Sequence, residues 1–506
     1  MKVLFYRIVL PFRAFFSKAG MAFLMFLLGA QVSVARKLLS INDAISLGQQ
    51  NSLNAMIARL NFMSDYWSYK SFRAQLLPAV NLRGNLLQFN HSMVEVRNYE
   101  NGEISLRQDN SMSNSLSLSI DQNVVPLGGT LSVQSYLYRL DQFNYGYRTY
   151  DSQPLRIVYS QPLRAFNSLK WQKKTEPMRY ELAKREYLEN METVTENVVS
   201  LFFSVLSSQS AYEQSERKLQ DRRQLYEMSE KRFEIGSVTK NDLLQLQLSV
   251  LNAEVELNER KVELNDDRFR LFSFLRILSY DDIELMVPSD VPQIEVNAET
   301  VVQKALENSK HVLSQQLSIL DSEKNLKEAK AAKGLQVQLN GEVGFSKVAN
   351  HFSDAFRNMQ NSEIVGVTFS LPLFDWGVSK GRVRMAKANL ESVRTQMEQE
   401  REKYIQDIRT LALKFNMQYS QCSNTMRARS IAEERYEITK KRFEEGGLTV
   451  TELNTAQQDL ESSRSQYIEQ LQSFWSSYYS LRRITLYDWI RNSDIAADFD
   501  RIIDSE

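Results

Sequence analysis

The stretches KRFEIGSVTKNDLL (Lys231–Leu244) and KRFEEGGLTVTELN (Lys441–Asn454) lie 210 residues apart and carry the same punctuation. Each interrupts a long run of Glu, Lys, Arg, Gln and Leu once, at Gly236 and Gly446, and the run then resumes. The same offset lays YSQPL (Tyr159–Leu163) on FSLPL (Phe369–Leu373), with Pro162 on Pro372. Upstream the offset becomes 257: VNLRG (Val80–Gly84) falls on VQLNG (Val337–Gly341), and Asn51-Ser52 on Asn308-Ser309. A tandem duplication with 47 extra residues between the strand-like segments of the first copy accounts for both offsets. Two copies are too few for a solenoid.

The pattern after each proline is helical. Roughly 74 residues separate it from the glycine turn, on the order of 110 Å of helix at 1.5 Å per residue, too long for a globular core. Only 17 glycines and 9 prolines occur in 506 residues, which suits such lengths. Beyond the turns, Leu243, Val250, Leu257, Leu264, Leu271 and Leu278 recur every seven residues, as do Leu453, Leu460, Tyr467, Phe474 and Leu481. A strict seven-residue seam is the signature of a coiled coil. Glycine supplies the left-handed turn that ends the outgoing helix. Asp242 and Glu452 then fall in the first turn of the returning helix, where its dipole favours an acid. The twin motifs read as the tips of two coiled-coil hairpins.

Before the long helices the period is two. Leu335, Val337, Leu339, Val343 and Phe345 share one face, as do Val367, Phe369, Leu371 and Leu373, and Leu116, Leu118 and Ile120 alternate with serines. Such alternation belongs to half-buried strands. Within the insertion, alternation about Gly128-Gly129 reads as a hairpin, crowded by Tyr136, Tyr138, Tyr145, Tyr147, Tyr150 and Tyr159. These tyrosines fit a membrane-interface girdle or exposed loops equally well. At the N-terminus, Lys2, Arg7, Arg13 and Lys18 precede the apolar run MAFLMFLLGA and the small residues Ser33 and Ala35. Residues 1–35 therefore read as a secretory signal, since the apolar core is half the length of a membrane span. The remainder has no apolar run of 18 residues, so membrane crossing, if any, is by strands.

The order signal, short helix, strand pair, very long helix, glycine turn and returning helix, with all but the signal written twice, resembles the TolC family of outer-membrane efflux proteins. The residues that carry the resemblance are SLPLFDWG (Ser370–Gly377), its mate SQPL (Ser160–Leu163), LLP (Leu76–Pro78) and the two tips, within about residues 40–486. The resemblance implies a homotrimer whose β-barrel, about four strands per chain, sits in outer-membrane lipid and continues as a periplasmic α-helical tunnel. It implies a periplasmic adaptor that docks at Gly236, Ser237, Val238, Thr239, Gly446, Gly447, Leu448 and Thr449, and an inner-membrane pump, ABC-type or proton-driven, as energy source. It implies no catalysis and no cofactor.

The family pattern places a Tyr three residues before the second-tip glycine and an Arg two after it, as a polar lock. This chain has Phe443 and Leu448 there, which makes an apolar gate of those two residues the expectation. Of the pattern's two acid rings, Glu452 supplies one; the second position is Thr455. Asp242 is the first-turn acid of the other tip.

The expected layout is a signal peptide (1–35), then for the first copy a short helix (36–77), barrel strands (78–161) and a hairpin (162–280). An equatorial linker (281–299) leads to the second short helix (300–334), strands (335–371) and hairpin (372–486), and an equatorial tail (487–506) closes the chain. The insertion is expected to project beyond the outer membrane surface, with six membrane strands per chain as the alternative to four. The expected function is the outer-membrane duct of a tripartite efflux or secretion system; the alternative is a soluble periplasmic coiled-coil scaffold without a pore. A net charge of zero gives no reason to expect nucleic acid. His91, His311 and His351 have no metal-ligand spacing, and the lone Cys422 excludes an internal disulfide.

Overall fold

The computed structural model describes residues 37–97, 102, 104–236, 238–280, 282–288, 291–445, 448 and 450–504. The expected signal peptide lies outside them, as do Ser237, Gly446, Gly447 and Thr449.

The two copies share a set of helices of matching length. In the first, α1 (Ile41–Asn51) and α2 (Leu53–Gln75) lead through strands to α3 (Ser168–Glu234) and α4 (Lys240–Phe274). In the second, α5 (Ala298–Asn308) and α6 (Lys310–Lys333) lead to α7 (Val378–Glu444) and α8 (Val450–Thr485). Each expected short helix is therefore a helix pair. Ser52 and Ser309 adopt extended backbone and break the run, each ending one helix and standing at the N-cap of the next, where the Ser52 hydroxyl also accepts from the Ala55 N–H. The long helices have 67 residues apiece and begin later than expected, because the strands run past or close to the prolines. Pro162 stays inside a strand at a register shift, where its missing N–H interrupts no regular ladder. Leu371 and Leu373 lie beyond the last strand, and Leu278 lies beyond α4, 99% exposed.

Six strands form one antiparallel sheet: β2 (Ala79–Arg97), β3 (Ile104–Val124), β4 (Gly129–Gln142), β5 (Tyr147–Arg164), β7 (Gln336–Ala349) and β8 (Gln360–Ser370), in that order. The sheet thus holds the four strands expected of the barrel and two more. The repeat mates are β2 with β7 and β5 with β8, so β3 and β4 are the insertion, and they lie between β2 and β5. The Gly128-Gly129 turn, expected beyond the outer surface, lies at the opposite end of the sheet. Strand parity carries the Gly128-Gly129 turn back to the helical end of the sheet, where it is stitched to the helices. The Gln122 side-chain amide donates to the Leu76 carbonyl (3.0 Å), that of Asn123 to the Gln75 carbonyl (3.0 Å) and that of Asn167 to the Val125 carbonyl (2.9 Å). The first two satisfy carbonyls left over at the C-terminus of α2. Gly128, at φ 75°, lies so close to Asn167 that a Cβ would come within 2.9 Å of its amide.

The sheet has one apolar and one polar face. A single row of neighbours runs Val80, Ile120, Val133, Ile157, Val343 and Glu363; the next runs Asn81, Ser119, Gln134, Arg156, Gly344 and Ser362. On the polar face Asp121 accepts hydrogen bonds from Asn81, Ser119 and Ser132. Tyr136 and Tyr138, opposite Ser117 and Ser115, also lie on the polar face and not in a lipid-facing girdle. Among the described residues no helix is long and apolar enough to cross a membrane.

The helices pack side by side in the order α4, α3, α8, α7. The main core sits at mid-length, where the helices meet a collar. Here β1 (Lys37–Leu39) pairs in parallel with β6 (Ile283–Leu285), and β9 (Tyr487–Asp488) pairs with β10 (Ser493–Asp494). Phe202, Phe203, Phe272, Phe415, Phe474 and Tyr478 are all buried in it. A second cluster seats Phe499, from the terminal helix α9 (Phe499–Asp504), against Phe62 and Tyr187.

Candidate functional site

At the first tip α3 runs out at Glu234, and Gly236 takes φ 77° with its N–H on the Phe233 carbonyl (2.9 Å). Nothing lies within 4 Å of where its Cβ would be, so the left-handed backbone alone calls for glycine. Thr239 caps α4: its hydroxyl accepts from the Asp242 N–H (3.2 Å) and donates to the Asp242 carboxylate (2.7 Å). Asp242 is thus held as part of a helix cap, and Val238 is half-buried beside it. At the second tip Phe443, in the last turn of α7, and Leu448, in the turn, are both half-buried. Glu452 is exposed in the first turn of α8, and Thr455 turns its hydroxyl back to the Thr451 carbonyl (2.9 Å).

Salt bridges hold each hairpin just above its tip. Lys218–Glu256 (2.8 Å) and Arg223–Glu254 (2.7 Å) join α3 to α4, and Arg435–Asp459 and Arg464–Glu433 join α7 to α8. Exposed pairs of this kind contribute about 0–1 kcal/mol each. A clasp at this level instead joins the two hairpins. Asp221 on α3 accepts from the Tyr436 hydroxyl (2.8 Å) and the Lys440 ammonium (3.2 Å), both on α7. Burial, and then the Asp221 carboxylate, push the Tyr436 phenol well above its ordinary range, so it remains a donor. The sequence reading missed this clasp. The signal was available: Tyr436 stands one heptad before Phe443, where the family pattern puts its Tyr.

Further from the tips, a polar cleft of 690 Å3 opens between the hairpins, lined among others by Ser208, Gln214, Lys218, Glu256 and Glu461. Burial raises the Glu461 carboxyl above the usual range. Near the collar, Arg482 on α8 makes a two-pronged pair with buried Glu192 on α3 (2.9 Å each) and reaches Asp488 (3.0 Å). Asp488 also accepts from the Tyr478 hydroxyl at 2.7 Å. The hairpins are therefore joined by a largely buried ion network at the collar and by the partly buried Asp221 clasp nearer the tips. Among the described residues no group of His, Cys, Asp and Glu is placed to hold a metal.

The chain matches the model of the family described as "Outer membrane efflux protein" over residues 44–275 and 301–485. A search of curated protein sequences found no match. Among solved structures, the CmeC outer membrane channel of Campylobacter jejuni is similar at 14% identity and TM-score 0.65, with 92% of this chain and 88% of that one covered. The outer membrane protein VceC of Vibrio cholerae gives 14% identity and TM-score 0.61 over 90% and 97%. The open state of the MtrE outer membrane channel of Neisseria gonorrhoeae gives 13% and 0.59 over 90% and 91%. The chain belongs to the outer membrane efflux protein family, the TolC family of the sequence resemblance, and is an efflux channel of the outer membrane that extends into the periplasm.

Proposed function

We propose that three copies of this chain close one continuous duct, and that the duct is opened and fed at its helix tips by a periplasmic adaptor and an inner-membrane pump. The observation that carries the assembly is that the chain ends in unpartnered edges in both of its layers. In the sheet, β2 and β8 are the edge strands, and in a membrane an open edge is untenable. β2 and β8 run in opposite directions, so one chain's β8 meets the next chain's β2 in the antiparallel sense. In the helical layer, α4 exposes Leu244, Leu248, Leu251, Val255, Val262 and Phe269 at near-heptad spacing, and α7 exposes Leu413, Met417, Ile431 and Ile438. Pairing α4 of one chain with α7 of the next covers both stripes and closes a ring. The number three comes from the family resemblance. Native mass spectrometry of detergent-extracted protein should give a trimer; a stable, folded monomer in the membrane fraction overturns the reading.

At the entrance, the adaptor is assigned to the turns around Gly236–Thr239 and Gly446–Thr449. Phe443 and Leu448 form the apolar closure, assisted by the Asp221–Tyr436–Lys440 clasp, and Glu452 and Asp242 set the charge at the mouth. Apolar closure is non-directional and tolerates sliding, at about 1.5–3 kcal/mol per side chain buried. Phe443→Ala with Leu448→Ala should raise conductance in planar bilayers without loss of assembly, and Glu452→Gln should lower cation preference. If the double variant conducts like the parent, the apolar closure is wrong; if Tyr436→Phe then raises conductance, the clasp alone holds the entrance.

A further inference from the structure

We propose that the inserted strands β3 and β4 span the membrane, so that the duct leaves the cell through an eighteen-stranded barrel and not a twelve-stranded one. This rests on the trimeric reading, with six strands from each of three chains. Three observations carry it. The insertion is interleaved: β2 pairs with β3, β3 with β4 and β4 with β5, so β2 and β5, neighbours in a four-stranded arrangement, never meet. Removing β3 and β4 from the wall would leave two open edges within one chain.

The face pattern also continues through the insertion without a break. Ile120 and Val133 stand in the apolar row between Val80 and Ile157, and Ser119 and Gln134 stand in the polar row between Asn81 and Arg156. Leu116, Leu118, Ile120 and Leu131 are exposed on the apolar face, like Val365, Val367 and Phe369 on β8. A projecting hairpin in water has no use for that stripe. At 21 and 14 residues, β3 and β4 both exceed the roughly 9–11 that a membrane strand needs.

The insertion is finally anchored at the tunnel end, by the contacts of Gln122, Asn123 and Asn167 with the helix ends and the turn. A hairpin adds one strand in each direction, so closure between chains stays antiparallel. Barrel diameter grows about linearly with strand number, which makes this wall about half as wide again as a twelve-stranded one. The size limit on cargo then moves away from the outer membrane to the helix tips, and the exit admits solutes bulkier than a twelve-stranded wall would pass.

Nitroxide labels at single cysteines, in a Cys422→Ala background and in purified trimer reconstituted into lipid, test this by their accessibility to oxygen and to a water-soluble nickel chelate. Labels at Leu118 and Val133 should favour oxygen, like a control label at Val367; labels at Ser117 and Ser132 should favour nickel, like a control at Thr368. If the four inserted positions all favour nickel while the two controls keep their contrast, the hairpin stands outside the bilayer. The eighteen-stranded wall is then overturned, and the trimeric barrel survives. Loss of contrast at the controls overturns the barrel reading itself, and this proposal with it. Averaged end-on images of the same trimer give a second readout: a ring no wider than a twelve-stranded barrel refutes the proposal even if the labels comply.

Discussion

The returning helices α4 and α8 occupy the same place in the two copies and turn the same seam inward, but they differ in how far it is buried and in what the second face carries. On α8 the seam is fully buried: Leu453, Leu460, Tyr467, Phe474 and Leu481. On α4 the mates Val250, Leu257 and Leu264 are only half-buried. The second stripe differs more sharply. Leu244, Leu248, Leu251, Val255 and Val262 are exposed and apolar on α4, whereas their mates at the 210-residue offset are Asn454, Gln458, Glu461, Ser465 and Gln472. Most of those polar mates line the cleft between the hairpins. A duplicated helix that turns one face from polar to apolar has acquired a different neighbour. For α8, inside the helical layer, the neighbours are α3 and α7 and the polar cleft; for α4, at the edge of that layer, the proposed neighbour is another chain.

The largest effects are expected where α8 is most enclosed. Phe474→Ala should cost about 3–5 kcal/mol, as ring deletions in packed cores do. Its half-buried mate, Leu264→Ala, should cost less than half of that by denaturant titration. Equal costs would mean that the two seams are equivalent. Arg482→Ala should be as severe, about 3–5 kcal/mol, because it leaves Glu192 buried without its counter-charge. Glu192→Gln in the same chain should recover part of the loss.

Next in size is the exposed stripe. Leu251→Asp with Val262→Asp places charges where α4 is proposed to meet α7 of the next chain. Each buried aliphatic there contributes about 1.5–3 kcal/mol, repeated at three interfaces. The variant should keep its helix content by circular dichroism and lose the trimer in native mass spectrometry. The mate substitution Gln472→Asp should leave the trimer intact. A trimer that survives the first variant would remove α4 from the subunit boundary.

Much of this was legible from period and offset alone, because a heptad seam encodes both a helix and the side it buries. Extrapolating that seam failed at Leu278. The helix stops at Phe274, and Arg276 follows with a positive φ of 57°, a local backbone event that leaves no mark on a seven-residue repeat. The insertion was read correctly as a hairpin about Gly128-Gly129 but placed at the wrong end of the sheet. Alternation tells which face a residue takes, not which end a turn reaches; that needs the count of strands before it. The Asp221–Tyr436 clasp escaped because the lock was sought at one position, while a coiled coil can move a contact by a whole heptad without changing its face. The collar ion network joins residues 290 positions apart, Glu192 and Arg482, and no local pattern connects them.

The smallest expected effect lies at the mate pair Leu251 and Glu461, where the comparison is reduced to one residue. Burial raises the Glu461 carboxyl, and Glu256 adds to the shift while Lys218 opposes it. A carboxyl whose folded-state pKa lies above its unfolded value binds more protons in the folded chain between the two. Stability therefore falls as pH rises through that window, from the ordinary carboxylate range upward, and stays lower above it. Glu461→Gln fixes the uncharged form, so it should raise the melting temperature slightly at pH 7.5, and the gain should vanish near pH 4, where the parent is protonated as well. At the mate position, Leu251→Gln should produce no such pH dependence, since no carboxyl is involved. If Glu461→Gln shifts the melting temperature equally at both pH values, the effect is one of shape and packing, and the cleft between the hairpins is wet enough to solvate a charge at no cost.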